Sequence, residues 1–507
     1  MCRVCLSPVA RRFNYNRFIS RKRCMLMLDR LKGARDRLKR RPIVLGLASL
    51  FWLTIRTGTK PSRMLYPCQR AAAANSWVML SPFIIPFLSM LHRKAGWFAD
   101  RKRLLGLGLI VLVVGAGVAL WWSQQGKSQF DKLTFSSKSA TAEPASDIFV
   151  VNGTTGQDGG VSALISLMGS HGLLFYQSEV SGGAQGPGGL IARDDVVLIK
   201  VNCQWDERGG TNTDLLKELI QLIVNHPDGF AGEIVVADNG QSVNNGGSLD
   251  WPHSNAEDHS QSVQDVVDMF SGSYRVSTSF WTPIRAERVD EYSSGDVNDG
   301  YVVSETADPE TGIRSSYPKF KTAYGTYISF KEGTWDSAKK SYDHERLKVI
   351  NVPVLKSHSI YGVTACVKHY MGVVSQPLTN AHSTVGRGGM GTEMVETRLP
   401  TLNMLDAIWV NANPGGGPAT SYREADRVNV ILASTDPVAL DYWAAKRVLM
   451  QAATLKGAKN VASMDPDHQA SGSFGNWLKL SMQEMLEAGY QVTMNEDHMN
   501  VYVVNLP

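Results

Sequence analysis

Apolar residues are arranged in two ways along this chain. Between residues 42 and 122 they form long runs, Pro42–Ile55, Trp77–Leu91 and Leu104–Trp122. From residue 147 onward the runs are short and separated by turn residues, as in a globular body of strands and helices. Asp147–Val151, Asp195–Val201, Glu233–Ala237, Val349–Val354 and Val428–Ala433 are nearly continuous and β-branched, which predicts strands buried on both faces of a sheet. Val161–Gly169, Asp214–Asn225, Val438–Met450 and Trp477–Ala488 carry helical spacing. Asn212 or Thr213 is placed to cap the second of these helices, and Asp436 followed by Pro437 to start the third. Thr397–Trp409 is equally compatible with helix or strand, and Met499–Val504 predicts a closing strand. Strand, helix and strand over 195–237, joined by short turns, make a βαβ unit. The expectation is therefore α/β: a mostly parallel sheet flanked by helices, with an insertion subdomain and an N-terminal transmembrane region.

The insertion, 241–346, is rich in Ser, Gly, Asp, Tyr and Trp. It has helical spacing at Ser260–Phe270 and strand spacing at Tyr301–Ser304 and Thr326–Phe330. An insert of this size beside a strand end favours a lid over a surface excursion.

Charge separates the long apolar runs from the body. Residues 1–103 hold 23 of the 52 Lys and Arg and 3 of the 47 Asp and Glu, which leaves 29 basic against 44 acidic residues in the remainder. A basic head on an acidic body argues for membrane topology and against nucleic-acid binding, which needs a basic face on the body itself. Residues 1–41 fit a basic amphipathic segment on an anionic surface, or disorder. Within the membrane region, 42–122, Leu104–Trp122 has the length and purity of a span, with Arg101, Lys102 and Arg103 before it and tryptophans at its end. Segments 42–55 and 77–91 are spans, re-entrant pieces or interfacial helices. With one or three spans, the positive-inside rule puts the body outside the cytoplasm, on a cytoplasmic (inner) membrane; two spans would reverse it. Residues 123–146 are polar and rich in Ser, Thr and Ala, which reads as a flexible linker to a domain over 147–507.

Candidate chemistry gathers at predicted strand ends, where α/β proteins bind ligands. Lys200 and Asn202 follow one strand, Asp238 another, and Lys356 and His358 a third. Lys368, His369, Gly372 and His382 come soon after, and Asp406 lies in the Thr397–Trp409 segment. Neighbouring lysines attract anions and depress one another's pKa, and a nearby histidine suits proton transfer. Lys356, His358, Lys368 and His382 are thus the candidate catalytic set, and Lys200, Asn202, Asp238 and Asp406 the candidate substrate-binding set, for a small anionic ligand. His358 and His382 are also the pair that would ligate a divalent metal, although no HExxH-type spacing fixes a geometry. Cysteines fall at 2, 5, 24, 68, 203 and 366. Cys2 and Cys5 have CxxC spacing without a second pair, which weighs against an iron–sulfur cluster. For Cys203 and Cys366, buried free thiols are favoured over a disulfide.

Several stretches resemble the family catalogued as domain of unknown function 362: VINVPVLKSHSIYGVTACVKHYMGV at 349–373, VVLIKVNCQWDERGGTNTDLLKELI at 196–220, EIVVADNG at 233–240, MLDAIWVNANPGGGP at 404–418 and ASTDPVALDYWA at 433–444. The resemblance covers roughly 190–505 apart from the insertion, and implies the fold and the Lys/His site without a settled activity. His369 stands where asparagine is usual and Val201 where proline is usual. Some members carry a ferredoxin-like cysteine cluster, which this chain does not. More distantly, His358, Lys368 and His382 are similar to the set in nickel-pincer lactate racemase. That similarity would make Lys368 the cofactor anchor, His358 an acid–base and His382 a nickel ligand. The two function classes that follow are a membrane-anchored enzyme acting on a small anion and a non-catalytic envelope ligand-binding or scaffold protein, with iron–sulfur redox function disfavoured.

Overall fold

A computed structural model describes residues 133–241 and 247–507. The basic segment 1–41, the membrane region 42–122, residues 123–132 of the linker, and Cys2, Cys5, Cys24 and Cys68 lie outside the described residues. Among the described residues no helix is long and apolar enough to cross a membrane.

A ten-stranded mixed sheet forms the centre. Its strands are β1 (Ser146–Asn152), β4 (Val196–Lys200), β5 (Glu233–Asp238), β6 (Val276–Phe280), β12 (Leu347–Asn351), β13 (Val354–His358), β14 (Gly362–Thr364), β15 (Leu402–Asn411), β16 (Asp426–Ser434) and β17 (Met499–Asn505). Two two-residue strands, β2 (Tyr176–Gln177) and β3 (Gln185–Gly186), pair separately. The order β17-β1-β16-β15-β12-β4-β5-β6 is parallel except at β16, which pairs antiparallel with both neighbours. Val428–Ala433 therefore runs against its neighbours β1 and β15. Residues 412–425 form turns and no crossover helix, so the chain folds straight back on β15 and the two strands pair antiparallel.

Side-chain alternation divides the core in two. Val197 and Ile199 of β4 face one apolar cluster, Val196 and Leu198 the other. The first is covered by α1 (Gly160–Ser170), α2 (Thr213–Val224) and α3 (Val263–Ser271). The second is covered by α4 (Gly389–Glu396), α5 (Pro437–Ala444) and α6 (Phe474–Glu487). Asn212 caps α2 through the Asp214 and Leu215 N–H groups, and Asp436 caps α5 with Pro437 in the first turn. Both follow the capping chemistry expected of those residues.

The composition of 123–146 predicts a flexible linker. Its described part instead lies along β17, with Lys138 exchanging backbone hydrogen bonds with Val501 and the Thr141 and Ala142 N–H groups donating to Asp497. Backbone pairing to an edge strand needs no apolar side chains, so composition does not report it.

The insertion supplies α3 and the edge strand β6, then a five-stranded antiparallel sheet of β7 (Gly300–Val303), β8 (Ser316–Lys321), β9 (Tyr327–Ser329), β10 (Gly333–Asp336) and β11 (Ser341–Asp343). It packs as a buttress: Phe330 meets Tyr370 edge to face at 6.1 Å, and Ser375 donates to the Arg285 carbonyl. That contact fixes the turn that carries Lys368.

Candidate functional site

Between β12 and β13 the apolar run is broken at Val352 and Pro353. The chain leaves the β4 side of the sheet and continues beside the distal half of β15, where Lys356 pairs with Asn411. It then turns back on itself as a hairpin through Ser359–Tyr361. Lys356 and His358, two residues apart, share one face, with Thr364 directly opposite Lys356 and Gly362 opposite His358. Gly362 has φ +77°, and a Cβ there would stand 2.1 Å from the Ser463 carbonyl oxygen. The hairpin therefore closes only with glycine at that corner.

A 3₁₀ turn, Lys368–Gly372, follows. Both oxygens of the buried Asp441 accept from its leading N–H groups, Cys366 at 2.7 Å and Val367 at 3.0 Å. Asn239, just past β5, donates to the Val374 carbonyl at 2.8 Å. These two contacts set the Lys368 side chain against the hairpin.

The two elements and the loop after β4 enclose a cavity of about 210 Å³ lined by Asn202, Gln204, Trp205, Gln241, Lys356, His358, Ser359, Ile360, Thr364, Lys368, His369, His382 and Pro418. Among the described residues this wall contains no Asp or Glu. Five of the residues expected from the sequence, Asn202, Lys356, His358, Lys368 and His382, do converge here. Gln241 is the one described residue of the insertion in the wall, so the lid expectation is not met by its folded part.

Lys200, Asp238 and Asp406 are not in the wall, and their polar groups are already engaged. Lys200 Nζ donates to the Val201 carbonyl at 2.8 Å, meets Nε2 of His369 at 3.1 Å and pairs with Asp238 at 2.8 Å. Asp238 also accepts from the Cys203 N–H. Asp406 accepts from the N–H groups of Asn212 and Ile408 and from the Asn255 amide. These three residues build the frame behind the pocket rather than its lining, a correction to the substrate-binding set.

The electrostatics follow from burial. Nζ of Lys356 donates to the Gly209 carbonyl, and burial, then the nearby Lys368 ammonium, push its pKa down to about 7. Burial pushes Lys368 down to about 8. Its Nζ lies 5.1 Å from the centre of the Tyr361 ring and has no hydrogen-bond acceptor among the described residues. His358 is driven to about 2, first by burial and then by Lys368, Lys356 and His382.

The imidazole tautomers can be read from their partners. Nδ1 of His358 accepts from the Ile360 N–H at 3.0 Å and the Tyr361 N–H at 3.2 Å, so the proton is on Nε2. A neutral His358 held this way is a hydrogen-bond donor to the pocket and not a proton acceptor. The acid–base role expected of it is thus narrowed to donation. His369, buried in the wall, donates from Nδ1 to Asn351 Oδ1 at 2.7 Å and accepts at Nε2 from Lys200. His382 is exposed at the rim, where Tyr361 donates to its carbonyl at 2.6 Å.

Among the described residues, three buried polar atoms of the lining have no hydrogen-bond partner: Asn202 Oδ1, Trp205 Nε1 and Thr364 Oγ1. Such atoms cost about 1–3 kcal/mol each when left unpaired, and they cluster here. Trp205 and Thr364 are not apparent from the sequence as site residues. The alternation of a β13–β14 hairpin would have pointed to Thr364, whereas nothing local marks Trp205.

The metal expectation fares poorly. Among the described residues no group of three or more His, Cys, Asp or Glu is arranged to hold an ion. Nδ1 of His358 is engaged and its Nε2 is protonated, and two lysines repel a cation. Nor do the residues fit a tethered nickel cofactor. The hollow is smaller than the roughly 300–1,000 Å³ usual for larger organic ligands, and His382 stands at its rim. Cys203 and Cys366 are free and buried.

The family model described as "Domain of unknown function (DUF362)" matches residues 327–446, which contain the β13–β14 hairpin, the Lys368 turn and His382. The motifs at 196–220 and 233–240 lie outside that match. A thylakoid-associated protein of Synechocystis sp. is 31% identical over 129 residues, covering 23% of this chain and 39% of that protein. The match thus spans well under half of the relative. No solved structure matches the chain significantly.

Proposed function

We propose that the pocket binds a small anion, a carboxylate or phosphate of few atoms, and that the protein is an enzyme acting on it. The observation that carries this reading is the wall itself. It presents the ammonium groups of Lys356 and Lys368, Nε2–H of His358, the indole of Trp205 and the hydroxyl of Thr364, with no carboxylate among them. Donors on largely buried side chains act strongly on negative charge. Burial lowers the pKa of both amines toward neutrality, and shifts of this kind concentrate at functional sites, which supports the enzyme reading.

The test is calorimetry on the full chain with phosphate, oxalate and propionate as probes. Binding of at least one, weakened tenfold or more in Lys368→Met at unchanged melting temperature, supports the site. No binding at millimolar concentration, or equal binding by the variant, overturns it.

The same proposal places the protein on a membrane, anchored by residues 104–122 with the body outside the cytoplasm. The span pattern supports this, as does the association with thylakoids in the name of the cyanobacterial relative. Release of the full chain by carbonate washing would overturn the anchor, and protection of the body from protease added to intact cells stripped of their outer envelope would overturn the orientation. Thiolate chemistry has little support, since burial raises both body thiols well above their ordinary pKa.

A further inference from the structure

One lysine is enough to hold a carboxylate, yet this pocket buries two. They are not equivalent. Lys356 is tied to the Gly209 carbonyl. Lys368 has no acceptor among the described residues, and its Nζ stands 5.1 Å from the centre of the Tyr361 ring. An amine that is largely buried and has no acceptor among the described residues is pushed toward its neutral form and can then present its lone pair. Nε2–H of His358 and the unpartnered Thr364 hydroxyl belong to the same wall and suit a carbonyl oxygen as partner.

We propose that Lys368 forms an imine with the carbonyl of a small 2-oxo acid whose carboxylate is held by Lys356. The proposal rests on the anion site and adds the carbonyl to it. The Lys368 lone pair adds to the carbonyl carbon, the C=O π pair moves to oxygen, and a nitrogen proton passes to that oxygen to give the carbinolamine. The hydroxyl then takes one further proton and leaves as water while the nitrogen lone pair closes the C=N bond. The sum is amine, carbonyl and one proton going to protonated imine and water, with no change of oxidation state. The further proton comes from solvent, which leaves Lys356 charged to hold the carboxylate. A cavity of about 210 Å³ has room for a two- or three-carbon acid.

The experiment incubates the full chain with glyoxylate or pyruvate and cyanoborohydride, then maps the reduced adduct by peptide mass spectrometry. The expected result is a near-stoichiometric adduct on Lys368, competed by propionate, and at least tenfold less total adduct in Lys368→Arg. Labelling of Lys368 no greater than that of the exposed Lys339 overturns the imine. If propionate still binds by calorimetry in that case, the anion site stands and only the imine falls; if propionate does not bind either, both fall. Should Lys368→Arg fail to fold, the mapped site on the unmodified sequence decides.

Discussion

Nζ of Lys200 lies 3.1 Å from Nε2 of His369, and the imidazole accepts there because its other nitrogen is spent on Asn351. The Asn351 amide donates in turn to Asn403 and the Cys366 carbonyl, which leaves its oxygen as the acceptor. A chain of fixed donors and acceptors thus runs from the sheet to the pocket wall.

His369 is therefore expected to remain neutral, protonated on Nδ1, from pH 5 to 8. Burial lowers its pKa well below the ordinary value, and the ammonium groups of Lys200 and Lys356 lower it further. Nitrogen chemical shifts of labelled histidine report this directly, and a resonance titrating near pH 6.5 from His369 would contradict it.

Gly372 leaves room for the ion pair. A Cβ there would lie 2.3 Å from Lys200 Nζ and 2.4 Å from Asp238 Oδ1. Gly372→Ala should destabilise the protein by about 1–3 kcal/mol as the pair is forced apart. Urea unfolding of the two proteins measures it, and an unchanged midpoint would show that the turn can shift freely.

Lys356→Met should stabilise the fold, by about 1–4 kcal/mol at pH 7 and below. Its pKa falls from 10.5 when unfolded to about 7 when folded. Between those values the unfolded chain holds a proton that the folded one has lost, so wild-type stability rises with pH across that window. The gap between variant and wild type should then narrow from pH 7 toward pH 10. A constant gap in melting experiments would mean that the amine stays charged.

Asp441→Asn should weaken the site without touching its wall. Both carboxylate oxygens accept from the N–H groups that open the Lys368 turn, and an amide can serve only one of them. The expected cost is about 1–3 kcal/mol in unfolding and a weaker propionate affinity. A variant with lost stability but intact affinity would show that Lys368 is held by the insertion's packing alone.

Much of the frame was legible from periodicity. The strands expected at 195–201, 233–237 and 499–504 and the caps at Asn212 and Asp436 lie where alternation and capping chemistry put them. The antiparallel course of β16 was not, because a buried run has the same composition in either direction. The convergence of Lys356, His358, Lys368 and His382 could be anticipated from their common place after one strand.

What the residues determined by themselves was local: which runs are strands, where helices start, and that amines and imidazoles gather after a strand. Which of those groups face a ligand was decided by tertiary structure, because a polar side chain is directed by partners from other segments. Lys200 is taken by Asp238 and His369, Asp406 by Asn212 and Ile408, and Lys368 by no acceptor among the described residues. His369 for Lys200 and Asn212 for Asp406 lie more than a hundred positions away in the chain, so these bonds cannot be read from the sequence, and such bonds separate the frame from the site.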